Sequence, residues 1–339
     1  MSLAAVWYVL VAVLLAGYAV LDGFDLGIGT LYPFISKSDQ ERKAMRDAIG
    51  PVWDGNEVWL LTAGGALFAA FPAVYATVFS GFYLALMLVV FSLIFRAVSL
   101  EFRAHAAAPR VWDWAFFLGS ALPALLFGVA IGNIVRGVPI GVDGEYAGTF
   151  LTLLNPYSLL IGVLGLTMFV THGAAWAALK TKGALRQRAV AVRSVAQWVF
   201  AALFVVATIA TLVMVNDRPT PVLGTVVGWI MIVVVAAGLI WTRLAIARSQ
   251  DGPAFVGNAV TMVGLVGLLA VGNYPALVPA LDTPQRSLTI YNSASAHLTL
   301  EVMLIIAIIG VPIVLAYTAL VYSKFRGKVS TETTDGGGY

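Results

Sequence analysis

Solid apolar runs of 20 or more residues recur along the chain, and polar residues collect in the stretches between them. About 20 apolar residues in a helix span a hydrocarbon core of about 30 Å. Backbone groups in lipid must be satisfied internally, by helices or a closed barrel; these runs do not alternate, so they predict helices. Nine spans follow, over residues 4–31, 52–71, 74–98, 111–135, 153–178, 191–215, 222–245, 254–274 and 299–323. A connector from Ser36 to Arg46 is rich in both signs of charge, and Phe71-Pro72 makes spans two and three an antiparallel hairpin. The pattern is that of an all-α integral membrane protein with one transmembrane domain over residues 1–325 and a polar tail, 326–339, expected to be disordered.

A faint repeat overlays the spans. Ala130, Gly132, Asn133, Val138 and Pro139 recur 140 residues later as Ala270, Gly272, Asn273, Val278 and Pro279, and Arg103 and Arg243 share that offset. The copies close spans four and eight, which run in the same direction, so the repeat is parallel. It implies halves of roughly 1–140 and 150–280, two four-helix bundles, and one peripheral helix over 299–323.

Charge then assigns sides. Of the 20 Lys and Arg, 17 lie in or beside alternate connectors and the C-terminal tail, and only Arg136, Arg218 and Arg286 lie on the other side. By the positive-inside rule the N-terminus is outside and the C-terminus cytoplasmic. Composition agrees: 60% of the 339 residues are hydrophobic and 11% charged, with mean hydropathy +0.91. A net charge of +3 gives no reason to expect nucleic acid. No cysteine is present, which removes disulfides and thiolate metal sites. No basic n-region precedes the first apolar run, so no removable signal peptide is expected.

The polar residues at membrane depth gather near the cytoplasmic side. Span one carries Asp22 and Asp25 in LDGFDLGIG; their i, i+3 spacing sets both on one helical face, and Gly23, Gly27 and Gly29 allow close helix approach. Span two opens as GPVWDGNEVW, with Asp54, Asn56 and Glu57 between Trp53 and Trp59. Pro51 suits a helix start, and carboxylates in a first turn meet the positive end of the helix dipole. Span three ends with Arg96, Glu101 and Arg103, followed by His105, and span five brings His172. Intramembrane acids and histidines commonly mark proton relays, and His titrates near neutral pH. The alternative is helix-end charges and one buried Arg–Asp pair that fixes packing.

The three histidines, His105, His172 and His297, lie in different segments with no two on one face, and no C-x-x-C-H occurs. No haem is therefore expected on this chain alone. Trp7, Tyr8, Trp112, Trp114 and Tyr322 fall near span ends, as interfacial aromatic belts do.

Taken in order, these pieces resemble subunit II of cytochrome bd-type quinol oxidases. The resemblance runs through DGFDLGIG at Asp22 to Gly29, WDGNEVW at Trp53 to Trp59, LTAGGALFAAFP at Leu61 to Pro72, FSGFY at Phe79 to Tyr83, and Phe95-Arg96. It continues with WDW at Trp112 to Trp114, GNIVRGVP at Gly132 to Pro139, LLNPYSLL at Leu153 to Leu160, and HLTLEVM at His297 to Met303. The resemblance implies a subunit of a bacterial cytoplasmic-membrane complex that oxidises quinol and reduces O2 to water. It builds a proton-motive force without pumping. Two haems b and one haem d would sit in the partner, subunit I. By the same resemblance, Asp54 lies on a proton path to the oxygen-reducing haem, and Glu101 marks its cytoplasmic entrance. His105 stands where the family usually has Lys. Trp59 lines an O2 access route, and Asp22 and Asp25 are paired acids near the subunit contact. The resemblance leaves open a small accessory single-helix subunit and a structural quinone or lipid in a groove of this subunit. Rival readings are a transporter, for which broken helices and inverted repeats are lacking, and a scaffold that only stabilises subunit I.

Overall fold

The computed structural model describes residues 2–215 and 222–329. The first helix, α1 (Leu3–Ile35), starts at Ser2, whose hydroxyl accepts from the Ala5 amide; such a cap satisfies a donor that the first turn would otherwise orphan. The connector after it folds as a short helix, α2 (Asp39–Asp47), which the apolar pattern did not predict. Ser38 caps it, Asp39 and Glu41 occupy its first turn and Arg46 its last, all favourable to the helix dipole. There follow α3 (Trp53–Ala70), α4 (Pro72–Gly81), α5 (Tyr83–Phe102), α6 (Pro109–Arg136), α7 (Pro156–Lys180) and α8 (Gly183–Met214). Then come α9 (Val226–Ala247), α10 (Asp251–Asn273), an antiparallel ribbon of β1 (Ala276–Val278) and β2 (Leu288–Thr289), and α11 (His297–Lys324).

Among the described residues, eight helices are long and apolar enough to cross a membrane, against nine expected spans. The expected span outside that set is α3, whose 18 residues include Asp54, Asn56 and Glu57 in the first turns. The expected span 74–98 is divided at Phe82 between α4 and α5. The hairpin at Phe71-Pro72 is thus made by α3 and α4, with Pro72 opening the second helix. Residues 216–221, which carry Arg218, lie outside the described residues.

The centre of the molecule is α1, packed against α3, α6, α7 and α10. Further out, α5 lies on α6, α8 on α7 and α9 on α10, while α11 touches α1 and α3 at the edge. From Asp22 to Leu31 every residue of α1 is buried. The tightest approach is at Gly27, where an added Cβ would stand 2.0 Å from the Phe169 carbonyl oxygen and 2.8 Å from the Gly173 Cα. Two backbones touch there because neither helix carries a side chain at the crossing.

At the end opposite the basic connectors, the two copies of the repeated motif close α6 and α10 and then meet. The Val138 amide donates to the Pro279 carbonyl at 3.0 Å and the Leu281 amide to the Val138 carbonyl at 2.9 Å. Ser295 donates its amide to the Ala70 carbonyl at 2.9 Å and its hydroxyl to Ala69 at 2.6 Å, covering carbonyls that end α3. Trp7 and Tyr8, expected as belt aromatics, are buried here instead; they donate to the Leu300 carbonyl at 2.9 Å and the Ala270 carbonyl at 2.6 Å.

Ion pairs hold the basic end. Arg103 binds Asp113 at 2.7 Å and Asp39 at 2.8 Å, which ties the ends of α5 and α6 to α2. Arg188 reaches Glu41 and the Ile35 carbonyl, and Asp251 receives Arg186 and Arg193. Of the tail expected to be disordered, residues 326–329 lie against α7: the Val329 amide donates to the Lys180 carbonyl at 2.8 Å. Residues 330–339 lie outside the described residues.

Two predictions follow from this packing. Gly27→Ala forces atoms into backbone, a change costing at least the 1–3 kcal/mol of ordinary overpacking. It should prevent accumulation of folded protein, whereas Gly252→Ala, with nothing within 4 Å, should not; size-exclusion profiles of tagged protein decide. The hydrogen bond from Arg103 holds the Asp39 carboxyl below its usual range. A depressed carboxyl stabilises the fold above its unfolded pKa of about 4 and loses that contribution as pH falls through the folded value. Asp39→Asn should therefore lower the thermal midpoint slightly at neutral pH and flatten its decline in acid.

Candidate functional site

One group of polar side chains inside the bundle comes from four helices, α1, α3, α5 and α11. Asp22 and Arg96 meet with no exposed surface: Arg96 Nη2 donates to Asp22 Oδ1 at 2.7 Å and Nη1 to Oδ2 at 3.0 Å. This planar, two-bond pairing is the strong form of a guanidinium–carboxylate contact. Glu57, half-buried on α3, brings Oε2 to 3.6 Å from the same guanidinium. One turn along α1, Asp25 accepts at Oδ2 from Asn56 Nδ2 at 2.8 Å. Asn56 in turn accepts at Oδ1 from the Tyr322 hydroxyl at 2.8 Å. Asp25 Oδ1 is buried and receives no hydrogen bond.

The sequence-derived residues therefore divide. Asp22, Asp25, Asn56, Glu57 and Arg96 form one buried group. Asp54 is exposed on the outward side of α3, next to Gly55 and in line with Val58 and Leu61. Glu101 and His105 are exposed at the end of α5 and beyond it, so they do not join the buried group. Trp59 is half-buried, with its ring over Gly17 of α1; a Cβ there would lie 2.3 Å from the ring.

His172 sits apart from the carboxylates. Its Nε2 lies 2.9 Å from the Val20 carbonyl and its Nδ1 3.1 Å from Asn258 Nδ2, and the ring stacks on Phe255. The carbonyl can only accept and the amide nitrogen can only donate, so the ring is a neutral tautomer with both nitrogens engaged. His105 and His297 are exposed at opposite ends of the chain's helices. The three histidines are thus kept apart, one buried between helices and two exposed at the ends.

Sequence reasoning missed Tyr322 and Asn258. Tyr322 looked like a belt residue, and its partner is 266 positions away. Asn258 stands alone in an apolar run, and a single buried amide is the one signal that could have drawn attention to it.

Removing one partner of a buried ion pair costs about 3–5 kcal/mol, whereas replacing both with apolar residues is often nearly neutral. Arg96→Leu should therefore abolish stable protein, and Asp22→Leu with Arg96→Met should recover much of it. Thermal midpoints of the purified assemblies measure both; a double variant as unstable as the single would assign the pair more than packing.

Comparison with known proteins adds the following. Residues 3–325 match the family described as cytochrome bd terminal oxidase subunit II. The chain is 40% identical to a Haemophilus influenzae protein named probable cytochrome oxidase subunit 2, over 97% of this chain and 96% of that one. It is 38% identical to the Escherichia coli K12 cytochrome bd-I ubiquinol oxidase subunit 2, over 96% and 95%. It is 34% identical to the Bacillus subtilis cytochrome bd ubiquinol oxidase subunit 2, over 97% of each. The fold matches a chain of the bd oxidase from Geobacillus thermodenitrificans with a TM-score of 0.79 at 16% identity, covering 96% of this chain and 99% of that one.

Proposed function

The chain belongs to the cytochrome bd terminal oxidase subunit II family, and from that premise we propose that it works as subunit II of a quinol:oxygen oxidoreductase in a bacterial cytoplasmic membrane. Its partner is subunit I, which carries the two haems b and the haem d. The complex oxidises quinol, reduces O2 to water and builds a proton-motive force by drawing the chemical protons from the cytoplasm. The N-terminus lies outside and the C-terminus inside. Nine spans cross the membrane, α3 being the ninth once a partner covers its polar turns. The halves 1–140 and 150–280 form two four-helix groups with α11 at the edge.

The observation that carries this reading is the outward-facing carboxylate of Asp54. It makes no hydrogen bond or ion pair within the described chain and sits on an exposed helix face with Gly55 and Val58. A lipid-facing carboxylate costs about 2.5–3.5 kcal/mol at a helix centre; in the first turn of α3 the helix dipole lowers that cost, and a polar partner surface suits the group better than lipid. Asp54 thus stands at a subunit boundary, where it can pass protons toward a haem held by the other chain. Glu101 and His105, exposed at the basic end, are the cytoplasmic entrance. The engaged ring nitrogens of His172 support a packing role for it and support placing the haems in subunit I. Asp22, saturated by Arg96, holds helices together. Asp25, with one oxygen unbonded, keeps the capacity to take up a proton. Trp59 lines an apolar route for O2, which needs only an uncharged opening.

A reduced-minus-oxidised spectrum of protein purified through a C-terminal tag tests the assembly. Haem b and haem d bands should appear together with a haem-rich partner, and a colourless chain purified alone despite co-expression of that partner would refute it. Asp54→Asn should keep haem content and slow oxygen uptake on the order of tenfold or more, the scale of losing a positioned proton-transfer group. Unchanged turnover would remove Asp54 from the path.

A further inference from the structure

A half-open cavity of about 290 Å³ lies at the basic end, between the last turn of α7, the α2–α3 connector and the end of α11. Trp176 and Phe325 give it aromatic walls, and Lys180, Lys324 and Lys328 line it against a single carboxylate, Asp47. Asp47 is already bonded to Lys43 at 2.7 Å, which leaves it little to offer the three lysines. Lys180 is only 7% exposed. Its ammonium lies 4.9 Å from the centre of the Trp176 ring and donates to the Phe325 carbonyl, and among the described residues no carboxylate pairs with it. Carbonyl and ring satisfy a hydrogen bond but not a buried charge, which is normally held by an opposite one. Lys328 likewise donates to a carbonyl, that of Thr181, at 3.1 Å.

Depth identifies the missing anion. Lys180 and Lys324 are the last residues of α7 and α11, both of membrane-crossing length. The cavity therefore opens where a bilayer's phosphates lie. We propose that it holds the phosphate headgroup of an anionic phospholipid from the cytoplasmic leaflet. The occupant touches Tyr322, which lines the same cavity and is the outer member of the Tyr322–Asn56–Asp25 chain.

The test uses the complex of this chain with its partner subunit, in nanodiscs of phosphatidylcholine with and without phosphatidylglycerol, with retained lipid counted by native mass spectrometry. Wild type should retain phosphatidylglycerol and not phosphatidylcholine. Lys324→Gln, an exposed change that leaves the packing intact, should lower that retention about fivefold, the attraction of one basic residue for an anionic headgroup. Lys180→Gln should lower it further. Retention equal to wild type in Lys324→Gln would overturn the proposal. So would inorganic phosphate stabilising the phosphatidylcholine sample as well as the lipid does, which would assign the site to the free anion.

Discussion

A guanidinium and a carboxylate meet inside the bundle with no surface exposed to any solvent, and the arrangement of three helices depends on how they do so. Stripping two charges of water costs several kcal/mol each, which only good geometry and further hydrogen bonds repay. Asp22 supplies both oxygens to Arg96, and Glu57 brings a second carboxylate to the same cation. The contact therefore fixes α1, α3 and α5 relative to one another in rotation as well as distance. One turn later the same face of α1 carries Asp25, and two residues further, about 200° around the helix, Gly27 lets α7 cross in backbone contact. Rotating α1 to improve one of these contacts would break the other two.

Residues with the same chemistry are thus put to different uses by the face they occupy. Asn56 and Asp54 are two positions apart on α3, and successive helix positions turn by about 100°. Asn56 points inward to Asp25 and Tyr322, and Asp54 points outward. An inward polar group is completed by this chain, and an outward one is not. α11 is the opposite case, apolar and exposed along its length: among its described residues only Leu300 is buried.

How much of this could be read from the sequence follows from the range of each interaction. Span positions were legible because hydrophobicity is a local property summed over some 20 residues. The acid-rich segments of spans one and two stood out for the same reason, as polar groups against an apolar background. The short helix α2 was not legible, since it rests on one serine cap and a few first-turn charges rather than on an apolar run. The start of α8 was placed eight residues late, at 191 instead of Gly183, because that first segment is amphipathic: Leu185 and Ala189 are buried while Arg186 and Arg188 reach acids on other helices. Nothing in the string separates Asp54 from Asp25, or marks Trp7 and Tyr322 as internal; orientation about a helix axis is settled by partners hundreds of positions away.

The link between Asn56 and Tyr322 also sets a clock. Its partners stand 266 positions apart, and Asp22 and Arg96 stand 74 apart. A chain entering the bilayer from its N-terminus exposes Asp22 before its cation exists, and the amide of Asn56 before its tyrosine does. Completion of the interior is therefore reserved for the final helix to emerge. A chain that stalls short of α11 leaves the Asn56 carbonyl oxygen without the hydroxyl that completes it.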